Sequence, residues 1–215
     1  MTIKILIADD HQLTREGVRS LLEREEDINV VGEAEDGRAA VRLARELGPD
    51  VILMDVCMPD MNGIVATTLI LAETPRIKVI ALTILDDRRF VSNMLRAGAS
   101  GYLIKDCSFK ELIRAIRRVV TNKIYLSSGI MDMVVREYVT PPAYSDSPGA
   151  SNLTIREKEV LQLVAEGYST PQIANSLHVS AKTVESHRQN LMVKINAKGI
   201  AGLTKYAIRE GLTSA

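Results

Sequence analysis

The sequence is poor in cysteine and has no long hydrophobic run. Its two cysteines, Cys57 and Cys107, do not form a Cys-x-x-Cys pair, so neither a disulfide framework nor a zinc site is indicated. No apolar run approaches the ~18–20 residues that a membrane-spanning helix needs. The first nine residues already reach acidic side chains, unlike a signal peptide. We therefore expect a soluble, cytoplasmic protein that does not associate with membranes.

An excess of one charge is also missing from the chain as a whole. The 215 residues carry 27 basic and 27 acidic side chains. The balance changes along the chain: residues 1–125 carry 18 Lys/Arg and 19 Asp/Glu, whereas residues 151–215 carry 8 and 5, a net charge of +3. A mildly basic C-terminal part permits nucleic-acid binding without demonstrating it.

The segment Val51–Gly63 combines a short apolar run with a single carboxylate. The run ends at Asp55, and a loop rich in Pro, Asn and Gly follows at once. A run of this length between turn residues is typical of a strand buried on both faces. Asp55 would then lie at the carboxyl end of the strand, where open α/β sheets bind ligands. The alternative is an ordinary acidic residue in a polar loop.

The first 125 residues alternate between predicted strands and predicted helices. Strands are predicted at residues 3–8, 28–33, 51–54, 78–83 and 101–104, and helices at 12–25, 37–47, 64–73, 86–97 and 108–120. Such alternation indicates an α/β fold with a parallel sheet and helices on both faces. Length and connectivity favour a five-stranded doubly wound sheet in the order 2-1-3-4-5, with right-handed crossovers.

Polar residues follow four of these strands. Asp9 and Asp10 follow the first strand, Asp55 the third, Thr83 the fourth and Lys105 the fifth. These four strands are neighbours in the predicted order, so their carboxyl ends converge on one small site. Taken singly, each residue has a plain alternative: a helix cap for the paired acids, a strand residue for the threonine, and a solvated charge for the lysine.

Clustered carboxylates require a counter-charge. Two unit charges ~4 Å apart repel by on the order of 4 kcal/mol at an effective dielectric of 20. A divalent cation relieves this repulsion, and hard oxygen ligands suit Mg²⁺. A carboxylate can accept a phosphoryl group, while the hydroxyl of Thr83 and the ammonium of Lys105 would stabilise the transferred charge. The residues therefore predict Asp55 as a phosphoryl acceptor.

The residues of the predicted site and their neighbours form a recognisable combination. They are Asp9-Asp10, Asp55 with Met58-Pro59 and Gly63, Thr83, and the run Gly101–Lys105. Together they resemble the receiver domain of two-component response regulators, over about residues 1–122.

The resemblance to receivers assigns a role to each residue of the site. It implies Asp55 as phosphoacceptor, Asp10 as a direct Mg²⁺ ligand, Asp9 as a ligand through water, and the main-chain carbonyl of Cys57 as a further ligand. It also implies that Thr83 and Tyr102 form a switch pair. One position departs from the family: the residue after the switch threonine is often small, and here it is Ile84. This departure puts the rate and lifetime of phosphorylation in question, but not the site.

Between the two halves the hydrophobic periodicity is lost. Residues 126–139 keep an apolar spacing at Ile130, Met133 and Val134 that is compatible with a short helix. Residues 140–151 are rich in Pro, Ser and Gly, which indicates an exposed linker. We therefore predict a receiver domain at 1–122, a linker at 123–150 and a second domain at 151–215.

The second domain is predicted to be all-helical, with four helices. Thr154 and Glu157 have capping-box spacing at the start of the first helix, and Ser180 is suited to cap the third. Two helices joined by a three-residue turn, as predicted around His178, form a helix-turn-helix whose second helix would enter the DNA major groove. The alternative is a plain helical packing unit with solvated charges.

Motifs in this region are Leu153-Thr154 with Arg156-Glu157, Ile173-Ala174, Thr183-Val184 with His187, and Lys194-Ile195. They resemble the LuxR-type DNA-binding domain over about residues 150–212. The resemblance implies that the DNA-binding residues are Lys182, Thr183, Glu185, Ser186, His187, Gln189 and Lys194. Lys182, His187 and Lys194 match the side that contacts the DNA backbone, whereas Glu185, Ser186 and Gln189 match the side that reads bases. Residues 196–200 depart from the commoner turn, so some phosphate contacts there are expected to be missing.

Taken together, the two halves resemble response regulators of the NarL/FixJ subfamily. The resemblance implies a transcriptional regulator, not an enzyme, that a sensor histidine kinase phosphorylates with Mg²⁺ and that binds promoter DNA as a homodimer on inverted half-sites. One alternative is a constitutive DNA binder with a vestigial receiver. Another is a phosphatase with an aspartyl intermediate, which would want a second acid where Cys57 stands. A flavin-binding role would need a phosphate-cradling loop after the first strand, which the sequence lacks.

Overall fold

The structure, a computed structural model, describes residues 2–139 and 153–213. The chain divides into two compact units, Met1–Pro141 and Pro142–Ala215. Of the predicted linker at residues 123–150, residues 140–150 lie outside the described residues. Among the residues that are described, no helix is long and apolar enough to cross a membrane.

The N-terminal unit alternates strands and helices from its first residues onward. Its strands are β1 (Ile3–Ala8), β2 (Ile28–Ala34), β3 (Val51–Met54), β4 (Lys78–Thr83), β5 (Gly101–Ile104) and β6 (Tyr125–Leu126). Its helices are α1 (Gln12–Leu22), α2 (Gly37–Leu47), α3 (Gly63–Glu73), α4 (Arg88–Arg96), α5 (Phe109–Val119) and α6 (Ser128–Val139). The short helix considered for residues 126–139 is present as α6.

The strands form a single parallel sheet in the order β2-β1-β3-β4-β5-β6. The predicted doubly wound order 2-1-3-4-5 is confirmed, but the prediction of five strands is wrong because β6 adds a sixth beside β5. In this pair Gly101 faces Tyr125 and Tyr102 faces Leu126. A two-residue strand held by main-chain bonds leaves no alternating side-chain pattern for sequence reasoning to find.

Two apolar layers cover the two faces of the sheet. On β1, Leu6 and Ala8 pack into a layer shared with α2, α3, α4 and α6, whereas Ile5 and Ile7 pack into a layer shared with α1 and α5. Because helices cover both faces, β3 is apolar throughout rather than alternating. This burial leaves the strand ends as the place where polar side chains collect.

The loop between β3 and α3 fixes the carboxylate at its start. The amide of Asp55 donates to the carbonyl of Ala8 at 2.7 Å, and the amide of Gly63 donates to the carbonyl of Val56 at 2.9 Å. A Cβ atom at Gly63 would lie 2.0 Å from the carbonyl oxygen of Asp55. A residue without a side chain is therefore required where the helix begins.

The C-terminal unit is helical over its described part. Its helices are α7 (Ile155–Ala165), α8 (Thr170–Ser176), α9 (Ala181–Lys194) and α10 (Gly199–Arg209). The capping box of Thr154 and Glu157 is formed, and Ser180 caps α9 by accepting a hydrogen bond from the amide of Thr183. All four helices contribute to one apolar cluster around Leu161 and Leu191. The short α8, a turn and α9 have the arrangement of a helix-turn-helix.

Candidate functional site

An acidic cluster lies at the carboxyl edge of the sheet, in the loops that follow β1 and β3. Asp9 and Asp55 are buried, with 3% and 5% of their surface exposed, whereas Asp10 is exposed. Asp9, Asp10, His11 and Asp55 each offer one ligand atom, and these atoms lie within 4.8 Å of one another. Three carboxylates at this spacing form a hard-oxygen donor set that suits Mg²⁺.

Lys105 connects the two buried acids. Its Nζ lies 2.7 Å from Oδ2 of Asp9 and 2.7 Å from Oδ2 of Asp55. Burial by itself would lower the pKa of Lys105, but the hydrogen bonds to Asp55 and Asp9 outweigh this effect and raise it. The ammonium therefore remains charged and neutralises part of the acid cluster.

The carboxylate of Asp55 is held at both oxygens. Oδ1 accepts a hydrogen bond of 2.7 Å from the amide of Val56, and Oδ2 accepts one from Lys105. Burial raises the pKa of Asp55, and the charge of Asp9 adds to this effect, although Lys105 and the Thr83 hydroxyl act in the opposite direction. The ionised carboxylate is therefore costly in this site, and an additional cation would stabilise it.

Thr83 and Tyr102 meet at one intervening residue, Leu85. The hydroxyl of Thr83 accepts a hydrogen bond of 3.4 Å from the Leu85 amide, and the Tyr102 hydroxyl donates one of 2.8 Å to the Leu85 carbonyl. Tyr102 is fully buried, and this burial raises its pKa. Leu85 was not predicted from the sequence because it participates through its main chain, which leaves no side-chain signal.

Ile84 and Cys57, the two remaining residues of the predicted site, differ in how exposed their side chains are. The side chain of Ile84 is 75% exposed, and that of Cys57 is partly buried against the apolar layer that includes Tyr102. A metal-ligand role for the Cys57 carbonyl stays a prediction.

Helix α9 presents most of the predicted DNA-binding side chains to solvent. The exposed ones are Lys182, Thr183, Glu185, Ser186, Gln189 and Lys194, and His187 is half-buried. The first turn of α9 is fixed by Ser180, whose hydroxyl also lies 2.8 Å from that of Thr183. The exposed residues begin in this first turn, so the N-terminal part of α9 is available to a partner.

Two cations of α9 are engaged within the unit. Lys194 Nζ lies 2.7 Å and 2.8 Å from the two carboxylate oxygens of Glu157, so this contact joins α9 to α7. Arg188 donates a hydrogen bond of 2.8 Å to the hydroxyl of Thr170 on α8. The guanidinium of Arg188 therefore packs back onto the helix-turn-helix instead of pointing outward from α9.

A parallel doubly wound sheet with paired acids and a lysine at its carboxyl edge, followed by a helix-turn-helix, defines the class of receiver-linked DNA-binding regulators. Residues 5–117 match the family model described as response regulator receiver domain, and residues 151–207 match that of bacterial regulatory proteins of the luxR family. The chain belongs to the LuxR-type response regulators, as the sequence predicted. It is a DNA-binding transcriptional regulator under two-component control.

Similar proteins cover nearly the whole chain. DegU of Brevibacillus brevis, a transcriptional regulatory protein, is 38% identical over 97% of this chain and 94% of its own length. The oxygen regulatory protein NreC of Staphylococcus epidermidis is 38% identical over 98% of this chain and 99% of its own. The RcsB response regulator of Salmonella typhimurium has a TM-score of 0.64 at 27% identity, covering 97% of this chain and 98% of that one. RcsB has also been solved in complex with DNA, with a TM-score of 0.60, 27% identity and coverage of 98% and 99%.

Proposed function

We propose that a sensor histidine kinase phosphorylates this protein at Asp55 and that phosphorylation controls how α9 engages promoter DNA. The observation that carries the proposal is the pair of buried acids, Asp9 and Asp55, held by the single ammonium of Lys105. In this proposal the chain accepts a phosphoryl group and binds DNA, rather than acting as an enzyme on a substrate of its own.

The acid cluster fits the cation that receiver chemistry requires. Asp9, Asp10 and Asp55, with the main-chain carbonyl of Cys57, would hold Mg²⁺. The ligand atoms of the three acids lie within 4.8 Å of one another, close enough to share one ion, and oxygen donors favour Mg²⁺ over softer metals. Bound Mg²⁺ supplies positive charge that offsets the repulsion between the carboxylates and the incoming phosphoryl oxygens.

The transfer is a displacement at phosphorus. An oxygen of Asp55 attacks the phosphorus of a phosphohistidine on the kinase, and the P–O bond forms as the P–N bond breaks. The imidazole leaves and takes up a proton, and Asp55 becomes an acyl phosphate. Lys105, which already contacts Oδ2 of Asp55, would follow the charge to a phosphoryl oxygen, and the Thr83 hydroxyl would donate to another.

Movement of Thr83 would transmit the effect of phosphorylation from Asp55 to the protein surface. Its hydroxyl is bonded to the amide of Leu85, and the Leu85 carbonyl holds Tyr102. If Thr83 turns toward the phosphoryl group, the Leu85 amide loses its partner and the anchor of Tyr102 shifts. We propose this connection as the switch that transmits phosphorylation to the surface near β4 and β5.

DNA binding is assigned to the exposed side of α9. Lys182 in the first turn would contact a phosphate, and Glu185, Ser186 and Gln189 would face base edges in the major groove. Lys194 is bound by Glu157, so we propose Lys182 as the principal phosphate contact. The existence of a solved RcsB–DNA complex supports DNA binding by this chain, without bearing on which residues make the contacts.

We also propose that two chains bind together. A homodimer, with α10 (Gly199–Arg209) as a contact, would place two α9 helices on inverted half-sites roughly 34–36 Å apart.

Mass in solution tests the proposal. The protein is measured with and without Mg²⁺ and a small acyl-phosphate donor, beside Asp55→Asn and a control, Asp50→Asn. Asp50 is an exposed acid that directly precedes β3, away from the carboxyl end of that strand. We expect a donor-dependent gain of one phosphoryl group and a shift to dimer in the native protein and the control, but not in Asp55→Asn.

The other outcomes discriminate between interpretations. A gain of phosphoryl mass without dimerisation would remove the proposed assembly step and leave Asp55 as the acceptor. No phosphorylation by either the acyl phosphate or a histidine kinase would favour a constitutive DNA binder with a vestigial receiver.

A further inference from the structure

We propose that Arg15 is a positioning residue that sets the affinity of the acid cluster for its divalent cation. The inference rests on the proposed function, because it concerns the same cluster. It adds a residue of α1 that does not itself touch the cation.

Arg15 holds the main chain of the first metal-binding acid. Its Nη1 donates a hydrogen bond of 2.7 Å to the carbonyl of Asp9, and its side chain is only 13% exposed. From the other side, the amide of Asp9 donates to the carbonyl of Ala34 at 3.1 Å. The carboxylate is held too, because its Oδ1 accepts a hydrogen bond of 2.9 Å from the amide of His11. Arg15 therefore completes the restraint on the turn that carries Asp9 and Asp10.

Glu33, near the end of β2, orients the guanidinium of Arg15. Arg15 Nε lies 3.3 Å from Oε2 of Glu33, and the other oxygen of Glu33 accepts a hydrogen bond from Nε of Arg19. Arg19 also reaches Glu23 at 3.4 Å on the same helix. Arg15 and Arg19 thus share one carboxylate, but of the two it is Arg15 that bonds to the Asp9 carbonyl.

The position and the charge of Arg15 act in opposite directions on cation binding. The positive charge of Arg15 repels an incoming cation. Arg15 hydrogen-bonds to the Asp9 carbonyl and not to a carboxylate of the metal site, so it does not compete with the cation for a ligand. If charge were its main contribution, removing the guanidinium would tighten Mg²⁺ binding. If position dominates, its removal frees the Asp9-Asp10 turn and weakens binding, as loss of outer-shell support does at metal sites. The sign of the change therefore decides between the two roles.

The test measures Mg²⁺ binding to the full-length protein by titration calorimetry, with the paramagnetic signal of Mn²⁺ as a second probe. Neither readout depends on phosphorylation. Arg15→Ala is compared with Arg19→Ala, which removes the same charge and a contact to the other oxygen of Glu33 but leaves the Asp9 carbonyl bonded. We expect Arg15→Ala to raise the Kd for Mg²⁺ by about tenfold, the lower end of outer-shell effects, and Arg19→Ala to change it by less than about twofold.

Arg15→Lys controls for misfolding of the alanine variant. A lysine at this position keeps the positive charge and can donate a hydrogen bond to the Asp9 carbonyl. We expect it to recover part of the lost affinity. Unchanged or tighter Mg²⁺ binding in Arg15→Ala would overturn the proposal, and so would equal weakening in both alanine variants. If the native protein and Asp55→Asn bound Mg²⁺ equally, the proposed role of Asp55 as a metal ligand would fail, whatever Arg15 does; failure of the proposed function itself is detected separately, as absence of phosphorylation.

Discussion

Gly63 allows a direct test of the backbone packing around Asp55. A Cβ atom there would lie 2.0 Å from the Asp55 carbonyl oxygen and 2.9 Å from Cγ of Met54. The Met54 side chain can rotate away, but the carbonyl is main chain and cannot. To reach even 3.0 Å the two backbones must separate by about 1 Å, against the hydrogen bond from the Gly63 amide to the Val56 carbonyl. Overpacking typically costs about 1–3 kcal/mol and occasionally more, and we expect Gly63→Ala to destabilise the N-terminal unit by about 3 kcal/mol.

Gly17 provides a matched control. It lies inside α1, and a Cβ atom there would meet nothing within 4 Å. Replacing a helical glycine with alanine should stabilise the unit by about 0.5–1 kcal/mol. The same chemical change is therefore expected to have opposite signs at the two positions.

Hydrogen exchange at increasing urea provides the assay, because peptides from β1 and β3 report the N-terminal unit separately from the helical one. We expect faster exchange in Gly63→Ala and slower exchange in Gly17→Ala. Phosphorylation should also slow in Gly63→Ala, because the shift moves the main chain of Asp55. A loss below about 1 kcal/mol in Gly63→Ala would refute the close approach, since it would fall under the typical cost of overpacking.

Three further predictions concern titration, the switch and DNA binding. Burial raises the folded pKa of Asp55 above its ordinary value of 3.8, so ionisation of this group removes stability as pH rises. Without Mg²⁺, Asp55→Asn should therefore gain stability relative to the native protein as the pH rises above about 3.8, and a difference that does not change with pH would contradict this. Tyr102→Phe removes the hydrogen bond to Leu85 and should cost about 1 kcal/mol in urea unfolding; an unchanged midpoint would argue against that bond. Lys182→Ala should reduce the slope of log affinity against log salt by about 0.9, whereas Lys194→Ala, which breaks the ion pair with Glu157, should change it less; equal effects would place both lysines on phosphates.

The alternation of elements was predictable where apolar runs end at Gly, Pro or a capping side chain. β3 has the predicted bounds because its four residues are all buried. α4 was predicted from residue 86 but begins at Arg88, because the carboxylate of Asp87 accepts the Arg89 amide and acts as the N-cap. A capping role of this kind depends on which of two adjacent aspartates turns toward the helix, and the sequence of Asp86-Asp87 does not decide it.

The candidate site was predictable to the extent that topology alone assembles it. Parallel strands bring their carboxyl ends to one edge, so Asp55 and Lys105 could be placed together from the strand order. Arg15 could not be found in this way, because its partner is a carbonyl and it follows the acids by one turn of α1. The engagement of Lys194 by Glu157 was also missed, since it depends on how α9 packs against α7.

The sixth strand determines where the N-terminal unit can be cut. The amide of Ser127 donates to the Tyr102 carbonyl at 3.1 Å, and Ile130 on α6 is 2% exposed within the apolar layer. A fragment ending at residue 122 would leave the β5 edge, including Tyr102, without its neighbour, and such an open edge invites pairing with other chains. A fragment that keeps the sheet edge closed and the apolar layer covered must therefore extend through α6.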